Sequence, residues 1–307
     1  MDAPQKPLVS IIAISYNHAP FIREALESVF GQTYAPIEII IADDHSTDNS
    51  LQLIEEACTG REITIISNTN NRGNCKTFND AFKSAKGSYI IDFALDDRMY
   101  PDRVAKQVAL FERGEPSMGV VFTNTDIIDE VGTFLYNQYP RFHHRLASVS
   151  VPEGDVFKDV LSRYYINPVG MMFRREVIEH LNGYDESLAY EDFDFWIRSS
   201  RIFTYTYLPE ILSSKRLVPH SLSFNFYKKN KEHLFASTLT VCKKAWWLCK
   251  NEVELKALVH RCRYELKQCI QYGYTGISKE YLEILKETDR YYFLYNGIVR
   301  CRMWFIR

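Results

Sequence analysis

The sequence is poor in the features that most readily announce a function. Its seven cysteines are scattered and odd in number, with no C-x-x-C pair among them. Neither a zinc site nor a disulfide framework is suggested, and buried thiols in a reducing compartment are the expectation. No window approaches the roughly 20 apolar residues that span a bilayer. The opening, MDAPQKPLVSIIAISYN, lacks the basic start, long apolar core and small-residue cleavage site of a secretory signal. A cytoplasmic protein is therefore expected. A net charge of −2 and the lack of a long Lys/Arg run give no case for nucleic acid as a partner. There is no G-x-G-x-x-G after the first apolar run and no G-x-x-x-x-G-K-[ST] anywhere, so glycine-cradle nucleotide sites are not indicated.

What is present is an ordinary globular composition, 46% apolar and 25% charged, over 307 residues. That length holds one large domain or two smaller ones with ample core. The first half alternates strand-like and helix-like stretches. LVSIIAIS (Leu8 to Ser15) is a short β-branched run suited to a strand buried on both faces. In SYNHAPFIREALESVFGQ, Asn17 is a cap candidate and Pro20 suits a first turn. Phe21, Ala25, Leu26, Val29 and Phe30 then recur at helical spacing, and Gly31 closes the element. IEIIIA, EITIIS and SYIIDFAL read as further strands, STDNSLQLIEEA and CKTFNDAFKSA as helices, the first of these capped by Ser46 or Asp48. This alternation predicts an α/β fold, a parallel sheet covered by helices with ligands at the carboxyl ends of its strands.

Three polar clusters fall at those ends: SYN (Ser15 to Asn17), DDHSTD (Asp43 to Asp48) and LDD (Leu95 to Asp97). One acidic loop is commonly only a helix cap; three on one rim are harder to explain so. The pair Asp96 and Asp97 is the sharpest. Adjacent carboxylates repel by about 4 kcal/mol at an effective dielectric near 20, and by about 1 in water. Either the pair is fully solvated or something positive is held there. A divalent cation bridging carboxylate and phosphate oxygens answers that need, with polar contacts to a base and ribose in place of a glycine cradle.

The stretches VSIIAISYNHAPFIREALESVFGQTYAPIEIIIADDHSTDNS, NRGNCKTFNDAFKSAKGSYIIDFALDDRMYPDRV and PVGMMFRREVIEHLNGYDESLAYEDFDFWIR resemble, in order, blocks of the family-2 glycosyltransferases. The resemblance covers about Leu8 to Ser223. It implies the GT-A (nucleotide-diphospho-sugar transferase) fold and an inverting transfer from a nucleotide sugar, usually a UDP-sugar. The acceptor it implies is a saccharide or lipid-linked hydroxyl, in cell-surface polysaccharide synthesis. Residue by residue, Ser15 and Tyr16 frame the base, Asp44 with Asp43 beside it contacts the uracil, and Asp96 lies near the ribose. Asp97 coordinates Mg²⁺ or Mn²⁺ on the diphosphate. Lys76 and Asn79 are further donor contacts, with a solvated Lys76 as the alternative. Asp192 is the base that takes the acceptor's proton, supported by Glu191; helix-start carboxylates favourable to the dipole are the plainer account of both. SSKRLVPHSLS (Ser213 to Ser223) resembles the family's flexible segment after the base, and Arg216 in it matches an Arg that lies close to the diphosphate.

Two positions depart from the pattern. Ala94 and Leu95 stand where an acidic residue commonly precedes the metal-binding aspartate, which lowers the metal affinity expected. Val218 stands where a His often follows the Arg, with His220 two residues beyond. These departures motivate a rival reading, a weakly active or inactive sugar-nucleotide-binding protein on the same fold. A nucleotidyltransferase is disfavoured, since SYNHAPFI has no glycine or lysine to hold a triphosphate. The adjacent His143 and His144 read as solvated loop.

From about Phe226 the pattern turns helical, giving a division into 1–225, the transferase domain, and 226–307, a helical C-terminal region. Cys242 with Cys249, and Cys262 with Cys269, are seven apart, a spacing that puts each pair on one helix face. The tail YYFLYNGIVRCRMWFIR mixes aromatics with arginines. It suits a segment at the inner membrane surface, or a terminal helix folded back on the catalytic domain.

Overall fold

The computed structural model describes residues 6–139, 151–219, 221, 224, 226–289, 291 and 294–297. The His143–His144 loop, His220 and most of the aromatic tail, Cys301 included, lie outside the described residues. In chain order the elements begin with β1 (Val9–Ser15), α1 (Ile22–Phe30), β2 (Ile37–Asp43), α2 (Ser50–Cys58), β3 (Thr64–Ser67), α3 (Asn74–Phe82) and β4 (Tyr89–Ala94). There follow β5 (Arg98–Met99), α4 (Arg103–Phe111), β6 (Met118–Ile128), β7 (Phe134–Asn137), α5 (Phe157–Ser162), β8 (Met172–Arg174), α6 (Arg175–Leu181), α7 (Asp192–Ser199) and β9 (Thr204–Arg216). The helices α8 (Glu232–Leu248), α9 (Glu252–Tyr272) and α10 (Thr275–Thr288) complete the set.

These elements divide into two compact units. The first comprises Met1–Gly154, Ile166–Glu186 and Ile202–Val218; the second comprises Asp155–Tyr165, Ser187–Arg201 and Pro219–Arg307. The first unit is built on a nine-stranded sheet in the order β3-β2-β1-β4-β8-β6-β9-β5, with β7 paired to β6. The half formed by β3, β2, β1 and β4 is parallel throughout. Every residue of β1 is buried, which is why its run is apolar without alternation. Helix α1 turns Ile22, Ala25, Leu26 and Val29 inward, and they pack in one core with Ile11, Ile41, Ile91 and Phe93 of the sheet. Beyond β4 the sheet turns mixed, because β8 runs antiparallel to both β4 and β6, while β6 and β9 are parallel.

Two local expectations change. Asn17 does not cap α1, whose N-cap is Phe21. It sits at φ 57°, in the left-handed region that asparagine tolerates, and bonds a neighbouring loop instead. The stretch 213–216, expected as part of a flexible segment, is the end of strand β9, held between β6 and β5.

The second unit is helical. Here α5 and α7, which precede residue 226, join α8, α9 and α10 around Phe193, Phe235, Cys242, Leu258, Cys262 and Leu285. Asn251 caps α9, its side chain accepting hydrogen bonds from the amides of Val253 and Glu254. Cys58, Cys75, Cys242, Cys262 and Cys269 are buried free thiols, and Cys249 is partly buried. Among the described residues no helix is long and apolar enough to cross a membrane.

Candidate active site

The sheet's register brings the three polar clusters to one edge. Ser15 lies opposite Asp43 across β1 and β2, and Ile14 opposite Ala94 across β1 and β4. Beyond the strands the chains stay tied. The amide of Asp44 donates to the Ser15 carbonyl at 2.8 Å, and that of Leu95 to the Ile14 carbonyl at 3.0 Å. The side-chain carbonyl of Asn17 accepts from the amide of Thr47 at 2.8 Å, while the Asn17 amide donates to Ser46 Oγ at 2.9 Å. Asp43 closes the second loop by accepting from the Ser46 amide at 2.8 Å and its hydroxyl at 2.6 Å.

Asp44 is nearly buried and carries a supporting load. Its carboxylate accepts three hydrogen bonds at 2.8 Å, from Asn68 Nδ2 and from the amides of Arg72 and Gly73. Gly73, at φ 82°, adopts a conformation open to glycine and presents its N–H to Asp44 at the start of α3. Ser15 is fully buried, yet its Oγ has no partner among the described residues. Tyr16 is 44% exposed. An unpartnered buried hydroxyl and an exposed ring on consecutive residues are groups that can hydrogen-bond and stack a planar polar base.

Asp96 and Asp97 sit in a tight turn in which the Asp97 amide donates to the Ala94 carbonyl at 3.1 Å. Asp97 is buried, and its Oδ1 accepts from the Arg216 amide at 2.8 Å. Burial and then the neighbouring Asp96 charge push the Asp97 carboxyl well above the usual range, against the pull of the Arg216 amide and the Lys215 charge. Asp96 has its Oδ2 3.9 Å from His18 Nε2. Arg103, wholly buried at the start of α4, donates to Gln107 Oε1 at 3.1 Å and to the Met171 carbonyl at 2.7 Å. Burial pulls Arg103 down to about 9, and the charge of Asp97 opposes that pull.

A divalent cation fits this donor set in one way. Asp97 is a hard oxygen donor whose charge burial and a like neighbour disfavour, which a cation would reverse. Among the described residues no three His, Cys, Asp or Glu side chains are grouped to hold a metal on their own. The residues present therefore suit an ion that shares its ligands between one or two carboxylates, phosphate oxygens and water.

Arg216, at the end of β9, is engaged through the whole guanidinium. Nε donates to the Asp96 carbonyl at 2.9 Å, and Nη1 to the carbonyls of Asp129 and Glu130 at 3.3 and 3.1 Å. Nη2 pairs with Glu24. Lys76 and Asn79, on α3, are taken up by the turn after α6. Lys76 Nζ lies 3.1 Å from Glu186 and 3.2 Å from Asp80. Asn79 Nδ2 donates to the Tyr184 carbonyl at 2.9 Å and to Glu186 at 3.0 Å. Ser15, Tyr16, Asp43, Asp44, Asp96, Asp97 and Arg216 thus gather at the carboxyl edge of the first unit. Glu191 and Asp192 belong to the second unit, at the start of α7. Their neighbour Asp194 is buried and pairs with Arg198 and Lys244, both at 2.6 Å. Sequence reasoning passed over His18, Glu24, Asn68 and Arg103. Only Arg103 carried a signal, its place six residues beyond Asp97 at the end of the same block.

Comparison with known proteins agrees with this geometry. The model of glycosyl transferase family 2 matches residues 10–181. The chain belongs to that family. It is 28% identical over 213 residues to an uncharacterized glycosyltransferase of Rickettsia prowazekii, covering 69% of this chain and 64% of that one. It is 28% identical over 232 residues to the putative teichuronic acid biosynthesis glycosyltransferase TuaG of Bacillus subtilis, covering 75% and 87%. An uncharacterized glycosyltransferase of Rickettsia bellii is matched over only 32% of its length, so the chain spans about one to two thirds of the first curated relatives. Among solved structures, S. aureus TarS 1-349 in complex with UDP superposes with a TM-score of 0.67 at 15% identity, covering 90% of this chain and 80% of that one. The mannosyltransferase PcManGT of Pyrobaculum calidifontis, in complex with GDP-Man and Mn²⁺, gives 0.59 at 16% identity, covering 92% and 75%. These likenesses establish the GT-A fold, a mostly parallel sheet flanked by helices.

Proposed function

We propose that this chain is an inverting glycosyltransferase that moves a sugar from a nucleotide-diphospho-sugar, a UDP-sugar first among them, to a hydroxyl of a saccharide or lipid-linked acceptor. Cell-surface polysaccharide synthesis is the setting that the name of its Bacillus relative supports. The observation that carries the reading is the convergence of three strand ends, with Ser15, Asp44 and Asp97 each buried at the carboxyl end of one of three adjacent strands. Ser15, Tyr16, Asp43 and Asp44 hold the base, and Asp96 the ribose. Lys76 and Asn79 flank the donor from α3, and Arg216 serves it through the turn that it clamps. Held by Asp97, Mg²⁺ or Mn²⁺ would supply positive charge against the charge gathering on the leaving diphosphate. One displacement inverts the anomeric carbon and needs one base and no covalent nucleophile. Asp192 takes that proton, by its place in the family pattern, with Glu191 supporting it.

The site works in the cytoplasm, with peripheral contact at the inner membrane face. A cavity of about 640 Å³ on α9, lined in part by His260, Arg263, Lys267, Tyr264 and Tyr295, has the basic and aromatic character that lipid headgroups favour. The test of the donor class is a thermal-shift panel of nucleoside diphosphates and nucleotide sugars, with and without Mn²⁺. Uridine-preferring stabilisation that strengthens with metal is expected. A guanosine preference would move the donor class toward that of PcManGT, and indifference to every nucleotide would refute the reading. Tight UDP binding with neither transfer nor slow metal-dependent donor hydrolysis would favour the inactive binding protein.

A further inference from the structure

Behind the aspartate turn, on the side of α1, one carboxylate serves two arginines. Glu24 accepts from Arg98 Nη1 at 2.7 Å through one oxygen and from Arg216 Nη2 through the other. Neither arginine is incidental to the turn. Arg98 follows Asp97 directly, and its strand pairs with β9 at Ser214. Arg216 grips both aspartates, its Nε on the Asp96 carbonyl and its backbone amide on Asp97 Oδ1. The Arg216 side chain is 2% exposed and that of Glu24 44%. Its guanidinium also lies over the Phe21 ring, 4.8 Å from the centroid.

Resting on the function proposed above, we infer that Glu24 is a positioning residue for the cation-binding aspartate. Removing one member of a buried ion pair leaves an uncompensated charge. With Glu24 present, Arg216 and Arg98 are satisfied from the α1 side, and Asp97 receives from Arg216 only a backbone amide. Without it, both guanidiniums lose this carboxylate partner beside a turn whose own acids are Asp96 and Asp97, and their charge falls on those two. Those are the groups a cation and a ribose need. Glu24 therefore keeps the arginines from neutralising the site they support, and it acts through them without touching the donor.

The test is Mn²⁺ affinity in the presence of saturating UDP, read on the full chain from the electron paramagnetic resonance of free Mn²⁺. Turnover at saturating Mn²⁺ is measured beside it. Glu24→Ala is expected to raise the Mn²⁺ dissociation constant about tenfold with turnover at saturating metal nearly preserved, because charge competition is overcome by mass action. Glu24→Gln, which keeps the shape and one acceptor, is expected to fall between, and it carries the test if the alanine variant does not fold. Arg23→Ala, which removes an exposed 3.0 Å pair between α1 and Glu56 of α2, should leave both readouts unchanged. Wild-type Mn²⁺ affinity in both Glu24 variants would overturn the inference while leaving the proposed function standing. No Mn²⁺ binding with UDP by the wild type would overturn the metal's place at Asp97 and the inference with it.

Discussion

Replacing Asp44 with alanine separates its structural load from its role at the donor site, and the size of the first can be worked from its bonds. The carboxylate accepts from Asn68 Nδ2 and from two backbone amides, all at 2.8 Å, at a site only 3% exposed. Hydrogen bonds to a charged group contribute about 1.5–3 kcal/mol each, and donors left buried without a partner add to the loss. Such bonds do not sum, and water entering the vacated space recovers part, so about 3–5 kcal/mol is the expected loss. For a unit of this size that lowers Tm by roughly 10 °C. Asp44→Asn keeps one acceptor oxygen for the amides and should lose about half as much. Both variants should weaken UDP by at least about tenfold, the loss for one missing hydrogen bond to a charged group. Thermal unfolding and UDP titration on the same preparations check this. An alanine variant with unchanged Tm would refute the assignment of the 68–73 loop to Asp44, and unchanged UDP affinity would refute its place at the base.

Asp192→Asn should cut turnover by about 10²- to 10⁴-fold with the fold intact if Asp192 is the base, whereas loss of a helix-start carboxylate alone costs about 1 kcal/mol of stability; turnover and unfolding curves distinguish the two. Asp97→Asn should abolish metal-dependent nucleotide binding while Tm stays level or rises. The folded-state carboxyl is raised by burial and Asp96, so its ionised form opposes folding, and stability is gained as pH falls through that raised value. A falling Tm would contradict this. Asp48 behaves in the opposite sense. Burial would raise it, but hydrogen bonds from Ser50 and Ala19 outweigh that and hold it below its ordinary 3.8. Its contribution is therefore present above about pH 4 and lost as the pH falls through the depressed value, so Asp48→Asn should flatten the acid limb of the stability curve. Burial pushes the partly buried Cys249 thiol up to about 11. At pH 8 roughly one part in a thousand is thiolate, and alkylation monitored by mass spectrometry should be far slower than for a free thiol.

The parallel half of the fold was legible because β1 is buried on both faces and β2 and β4 are mostly so. Four of the seven residues of β1 are β-branched, and the α1 face repeats at helical spacing. The strand-end carboxylates followed from that alternation alone. Strand β9 was not legible. TYTYLPEILSSKR mixes a proline, a glutamate and two cations into thirteen residues, and its pairing with β6 shifts register near Thr123 and Asn124. Its partners are far away in the chain, so local pattern says little. Glu24 looked like any solvated carboxylate in a first helical turn, because the residue that gives it meaning, Arg216, lies 192 positions later. Likewise the membership of α5 and α7 in the helical unit depends on what α8 and α9 bury, not on their own sequences.

The central claim is that a nucleotide sits over the carboxyl ends of β1, β2 and β4. A crystal structure of the chain soaked with UDP and Mn²⁺ tests it most directly. It should show the uracil beside Ser15 and Asp44 and the ion on Asp97. Nucleotide bound elsewhere, or an ion that leaves Asp97 untouched, would contradict the account.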